Sequence, residues 1–244
     1  MCENCRSGSF HPFAPTRRVA LRFAASGLGL ALTGAAAAKE MKKPPKPENV
    51  VSPEAALERL KEGNERYVEG VTRRHDFRHE RQILAGGQNP YAAILSCADS
   101  RIAPEYAFDT GRGDLFVCRV AGNFANDDGI ASLEYAVAVL AVPLILVLGH
   151  DACGAVDATI KSLKDNTTLP GHLPSLVTAL APAVKAASGQ GGDALMSAIR
   201  QNVIDNVAKL KSAAPVLNAA VGQNKLKVVG GIYRLKSGKV DLIG

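Results

Sequence analysis

Four apolar runs, Tyr91–Ser96, Leu115–Val120, Leu144–Gly149 and Leu226–Ile232, decide what this chain can become. Each is short and apolar at consecutive rather than alternate positions, the pattern of a strand buried on both faces. Segments of helical length lie between and around them: Gly129–Leu140, Cys153–Leu163, Leu173–Ala187 and Ala194–Ala213. Strands alternating with helices predict an α/β fold, a mainly parallel sheet of about four strands flanked by helices. The end of the chain departs from that rule. Tyr233–Val240 carries a Ser-Gly turn between strand-forming residues, so it is expected to fold back as an antiparallel C-terminal edge strand.

Ahead of the first run, Ser52-Pro53-Glu54 reads as a helix N-cap followed by proline at the first helical position. Leu57, Leu60, Asn64 and Tyr67 then recur at spacings of three and four, which predicts an amphipathic helix of about 17 residues within an N-terminal arm, 52–70. Residues 39–51 hold the proline-rich, charged stretch Lys42–Pro47 and read as a linker. Residues 1–38 read as an export signal. Arg17 and Arg18 precede an uncharged, mildly apolar run from Phe23 to Ala38 that ends in small residues, the layout of a twin-arginine signal. That run is about 16 residues, short of the roughly 20 strongly apolar ones a spanning helix needs, so no stable membrane anchor is expected. The expected destination is the periplasm or the exterior. One domain, 52–244, remains, large enough to bury a single core.

The net charge of +6 invites a nucleic-acid reading. However, the first 38 residues hold four Arg and one Glu, and the remainder carries 25 basic against 22 acidic side chains. That excess gives no support to a nucleic-acid partner. Of five cysteines, Cys2 and Cys5 lie in the signal, which leaves Cys97, Cys118 and Cys153, an odd number that permits no disulfide framework.

In an open α/β sheet, chemistry gathers outside the carboxyl ends of the strands. Two such ends carry metal-type ligands: Cys97-Ala-Asp99-Ser-Arg101 after the first run, and Gly149-His150-Asp-Ala-Cys153-Gly154 after the third. Two thiolates and an imidazole select zinc, and three protein ligands leave a fourth place for water or for Asp99, as in catalytic rather than structural sites. Arg101 can hold Asp99 in a two-pronged pair, lowering its pKa and keeping it off the metal. Gly149 and Gly154 are expected to permit a tight turn, and the start of a helix at Cys153 to favour its thiolate form. His75 and His79 share the i, i+4 spacing of a ligand pair, but their polar surroundings and lack of a third ligand predict solvated side chains. Cys118, inside a strand, reads as a small apolar residue.

These motifs, together with Pro104-Glu105, Gly113–Val117, Arg119, Ala121-Gly-Asn123 and Ser132–Val137, resemble the β-class carbonic anhydrases from about Pro53 to the end of the chain. The two ligand motifs stand 53 residues apart in the family's order. The resemblance implies one Zn2+ per subunit on Cys97, His150 and Cys153, with Asp99 and Arg101 as the catalytic pair and Asp99 as a possible fourth ligand. It implies a substrate pocket of Gln88, Phe116 and Tyr135, formed partly by a neighbouring subunit, in a homodimer or a dimer-based higher oligomer. The implied reaction is reversible hydration of carbon dioxide to bicarbonate and a proton by zinc-bound hydroxide. Two other functions fit the same ligands: a hydrolase of carbon disulfide or carbonyl sulfide, and a non-catalytic, zinc-stabilised bicarbonate-binding protein.

Overall fold

The computed structural model describes residues 51–189 and 191–243; the expected export signal and all but the last residue of the linker lie outside them. Five strands form one sheet: β1 (Ala92–Ser96), β2 (Leu115–Arg119), β3 (Leu144–His150), β4 (Lys227–Tyr233) and β5 (Val240–Ile243). Their order is β2-β1-β3-β4-β5, parallel except for β5, which runs antiparallel to β4. The predicted architecture is therefore the observed one. Every residue of β3 is buried, which is why Leu144–Leu148 are apolar without alternation.

The pleat sorts neighbouring residues to opposite faces. Ala93, Leu95, Ile145, Val147 and Val228 turn to one core together with residues of α4 (Asp127–Ala138), α7 (Ala194–Ser212) and α8 (Val216–Gly222). Ala92, Ile94, Leu144, Leu146 and Leu148 turn to the other, where α1 (Pro53–Val68) and α3 (Pro104–Ala107) pack. Helices α5 (Gly154–Asp165) and α6 (Leu173–Ala187) close a third cluster with α7 around Cys97, Cys153, Leu180 and Ile199.

Helix α1 starts as its sequence predicts, with the Ser52 hydroxyl accepting from the Ala55 amide and Pro53 in the first turn. Asn64 sits in its buried stripe and explains itself by its bonds. Its Nδ2 donates to the carbonyls of Ala107 and Gly238, both at 2.8 Å, and its Oδ1 accepts from the Val240 amide at 2.8 Å. One side chain thus ties the arm to α3 and to the β4–β5 turn.

The short helices α2 (Phe77–Leu84), α3 and α8 carry no sequence periodicity long enough to predict them. Helix α2 buries none of its residues and rests on its cap, Asp76, which accepts from the amides of Arg78 and His79. His75 is bonded to Glu80 and stacked on Phe77, and His79 is bonded to Asp76. Among the described residues no helix is long and apolar enough to cross a membrane.

Candidate metal centre

Strand β1 has β2 on one side and β3 on the other, so the chain reverses its direction of travel across the sheet at β1. A crevice at such a switch point, beyond the carboxyl ends, is where open α/β sheets bind ligands. Ser96 pairs with Leu148, which brings Cys97, just past β1, level with the end of β3 at His150. After His150 the chain turns and enters α5 with Cys153 as its N-cap.

Sulfur, nitrogen and sulfur converge there. The ligand atoms of Cys97, His150 and Cys153 all lie within 4.8 Å of one another, and the three residues are buried. The His150 ring donates from Nδ1 to the Asp151 carbonyl at 2.8 Å, which fixes its tautomer and leaves Nε2 facing the sulfurs, buried and without a hydrogen-bond partner. An orphaned imidazole nitrogen beside two thiols fits a soft, tetrahedral metal ion. Protonation tells the same story. The Cys153 thiol beside Cys97 lowers the Cys97 pKa, and the Gly122 amide adds to this by donating to Cys97 Sγ at 3.3 Å. Cys153 is pushed up in turn, first by Cys97 and then by burial. Burial opposes a charged His150, yet the Cys97 sulfur beside it pulls the His150 pKa upward.

The amides of Ala155 and Val156, in the first turn of α5, favour a thiolate at Cys153, while the neighbouring Cys97 and burial work against it. One correction concerns the turn. Neither Gly149 nor Gly154 adopts a left-handed backbone; Ala152 does, at φ 52°. Gly149 is there for space, since a Cβ at that position would come within 2.7 Å of Val203.

Asp99 and Arg101 form the two-pronged pair the sequence suggests. Arg101 Nε and its backbone N–H both donate to Oδ1 at 2.9 Å, and Nη2 donates to Oδ2 at 2.7 Å. That arginine holds the Asp99 carboxyl well below the usual carboxylate range, with burial opposing. Oδ2 also stands 3.9 Å from His150 Nε2. Arg101 Nη2 reaches on to the Ala152 carbonyl at 3.3 Å, so one guanidinium spans both ligand loops.

The other expected site residues are not part of that cluster. Gln88 is exposed in the loop before β1. Phe116 and Tyr135 meet each other with ring centroids 6.3 Å apart, on and above β2, which is an edge strand among the described residues. Phe116 lines a cleft of about 370 Å3 along that edge. Cys118 beside it is half-buried with its thiol pKa raised by burial, as befits an apolar role.

Three polar residues of the site have roles that the sequence does not announce. Arg119, at the end of β2, donates from Nε to the Cys97 carbonyl and from Nη2 to the carbonyls of Asp99 and Ile102, at 2.8–3.0 Å, and so buckles the whole Cys97–Ile102 loop. Asn202 and Asn206 interrupt the buried stripe Ala198, Ile199, Val203, Leu210 of α7. Polar residues at i, i+4 within an apolar stripe were the available signal.

Comparison with known proteins agrees with this geometry. Residues 92–240 match the protein-family model described as carbonic anhydrase. "Carbonic anhydrase 2" of Mycobacterium tuberculosis is 40% identical over 78% of this chain and 93% of its own length. The carbonic anhydrase of Mycolicibacterium smegmatis is 37% identical over the same shares. Among solved structures, a tetrameric β-carbonic anhydrase of Sordaria macrospora superposes with TM-score 0.62 at 25% identity, covering 69% of this chain and 87% of that one. The β-carbonic anhydrase CcaA superposes with TM-score 0.60 at 26% identity, covering 78% and 92%. With two ligand loops converging at the sheet's switch point and relatives of this similarity, the chain belongs to the β-class carbonic anhydrases.

Proposed function

We propose that this protein catalyses the reversible hydration of carbon dioxide to bicarbonate and a proton, with Zn2+ held by Cys97, His150 and Cys153. The observation that carries the reading is the orphaned His150 Nε2 between two buried sulfurs, 3.9 Å from an arginine-held carboxylate. When bound, the ion supplies Lewis acidity that lowers the pKa of water toward neutrality, to about 7 in the carbonic anhydrases that hold zinc on a different ligand set. Arg101 favours the ionised form of Asp99, whose role in this reading is that of a hydrogen-bond acceptor orienting the attacking water. Arg101 engages both carboxylate oxygens, which keeps Asp99 off the ligand set and leaves the fourth position to solvent. The intact Asp99–Arg101 pair argues against a merely bicarbonate-binding role.

The pocket is completed by a second subunit in this proposal. Support comes from the open edge of β2, from Tyr135, which is 48% exposed beside Phe116, and from the tetrameric relative. A homodimer would place Gln88, Phe116 and Tyr135 around the substrate. We also propose export to the periplasm, supported by Arg17-Arg18 and the apolar run behind it. A mature N-terminus near Lys39 in a periplasmic fraction is the expected finding.

The activity is tested by stopped-flow hydration of carbon dioxide on the zinc-loaded protein beside Cys97→Ala. Hydration well above that control is expected; equal rates at full zinc occupancy would refute the reading.

A further inference from the structure

Helix α7 carries a ladder of amide side chains that ends at a metal ligand. Lys209 Nζ donates to the Ala125 carbonyl at 2.6 Å. Asn206 Oδ1 accepts from the Ala125 amide at 2.7 Å, and Asn206 Nδ2 donates to Asn202 O and Oδ1 at 2.7 and 3.0 Å. Asn202 Nδ2 in turn donates to the Gly122 carbonyl at 2.8 Å, and the Gly122 N–H points at Cys97 Sγ at 3.3 Å. Both asparagines are buried. A buried amide costs free energy unless bonded, so two of them in an apolar stripe hold the loop to a single arrangement. That loop needs holding: Gly122 is left-handed at φ 86°, and a Cβ there would meet Leu180 Cδ1 at 2.8 Å.

We propose that Asn202 and Asn206 are positioning residues for the metal centre: they fix the Gly122 backbone so that its N–H donates to the Cys97 sulfur. This rests on the zinc reading above. An N–H donor withdraws charge from a thiolate ligand, so the sulfur gives less to the ion and the ion remains the stronger Lewis acid. The device matters more here than with neutral ligands, because two thiolates donate strongly and would otherwise make a bound water less acidic. The ladder ends at Cys97, so it adjusts the ion through a ligand, whereas Asp99 and Arg101 act on what the ion binds.

The test uses Asn202→Ala, with Gln201→Ala as a control one residue away whose side chain only bonds Asp205 on the same helix. Both are loaded with cobalt(II) in place of zinc. In Asn202→Ala the thiolate-to-cobalt charge-transfer band is expected to move to lower energy. The alkaline rise of hydration activity in the zinc form should move to higher pH. Gln201→Ala should match the wild type in both. An unshifted band in a folded, fully loaded Asn202→Ala overturns the proposal, because a purely structural asparagine would leave the sulfur's electronics alone. Should that variant fail to fold, the wild type decides: with cadmium-113 at the site, a scalar coupling across the hydrogen bond from the Gly122 amide to the cadmium is expected, and its absence overturns the proposal. Wild-type protein that shows the coupling but no hydration would sink the carbonic anhydrase reading and leave the positioning role standing.

Discussion

Two aspartates ten residues apart, Asp99 and Asp109, are each gripped by an arginine, and they differ in what surrounds the pair. Asp109 has its side chain 3% exposed, with both oxygens engaged: Arg66 Nε at 2.6 Å, the Thr72 hydroxyl at 2.8 Å and the Arg73 amide at 3.0 Å. Burial works to raise its pKa, but Arg66 and those donors outweigh it and the net shift is downward. Its partners come from α1 and the segment after it, so the pair fastens the arm to the loop behind α3. Asp99 is bound by one residue two positions along the same loop, and its Oδ2 still faces the orphaned His150 nitrogen. A long-range pair closes structure; a local pair leaves its carboxylate available beside whatever its loop approaches. The arginine is the same in both cases, and the neighbours decide the role.

The contrast breaks first if the neighbours do not matter. Cys153→Ala is expected to abolish stoichiometric metal binding and reduce hydration to the uncatalysed rate, checked by elemental analysis and stopped-flow on the same sample. Asp99→Asn should keep its metal and its melting temperature while kcat falls about 10²-fold, the scale for a misplaced reactant. Asp109→Ala should do the reverse, costing about 3 kcal/mol in urea denaturation because Arg66 is left without its buried partner, with kcat per bound metal unchanged. The pH dependence sharpens the point. A carboxyl whose folded pKa is depressed contributes stability above its unfolded value, about 3.9, and loses it as pH falls through the folded value. The stability gap between wild type and Asp109→Ala should therefore be full at neutral pH and narrow below about pH 4. A gap constant through acid would mean that packing, not charge, holds the arm. The smallest effect belongs to an exposed pair: Lys161→Ala removes a contact to Asp157 at 2.6 Å on the surface of α5 and should leave the denaturation midpoint unchanged.

Legibility in the sequence followed from locality. Strands β1 and β3 announced themselves because a strand buried on both faces must be apolar at consecutive positions, as Leu144–Leu148 are; β2 reads the same way but is a half-buried edge with Arg119 exposed. The start of α1 was readable because Ser52 and Pro53 act within one turn. Helix α2 was not, since it buries nothing and leaves no apolar stripe. Asn64 had a readable place on the helix face but not a readable purpose, because its three partners lie in segments up to 176 residues away. The roles of Arg119 and the asparagines of α7 were hidden for the same reason: each acts on backbone far from it in the chain.

The sequence by itself determined the succession of strands and longer helices and the metal-type side chains at or just beyond strand ends, because burial and turn chemistry operate over a few residues. Only the tertiary structure decided that Cys97 and His150 meet, that Asp99 is the aspartate left facing His150, and which helix braces the loop behind Cys97. Those are outcomes of parallel pairing between β1 and β3 and of α7 lying against the sheet. Contacts across such distances depend on how elements pack, and no local pattern records them.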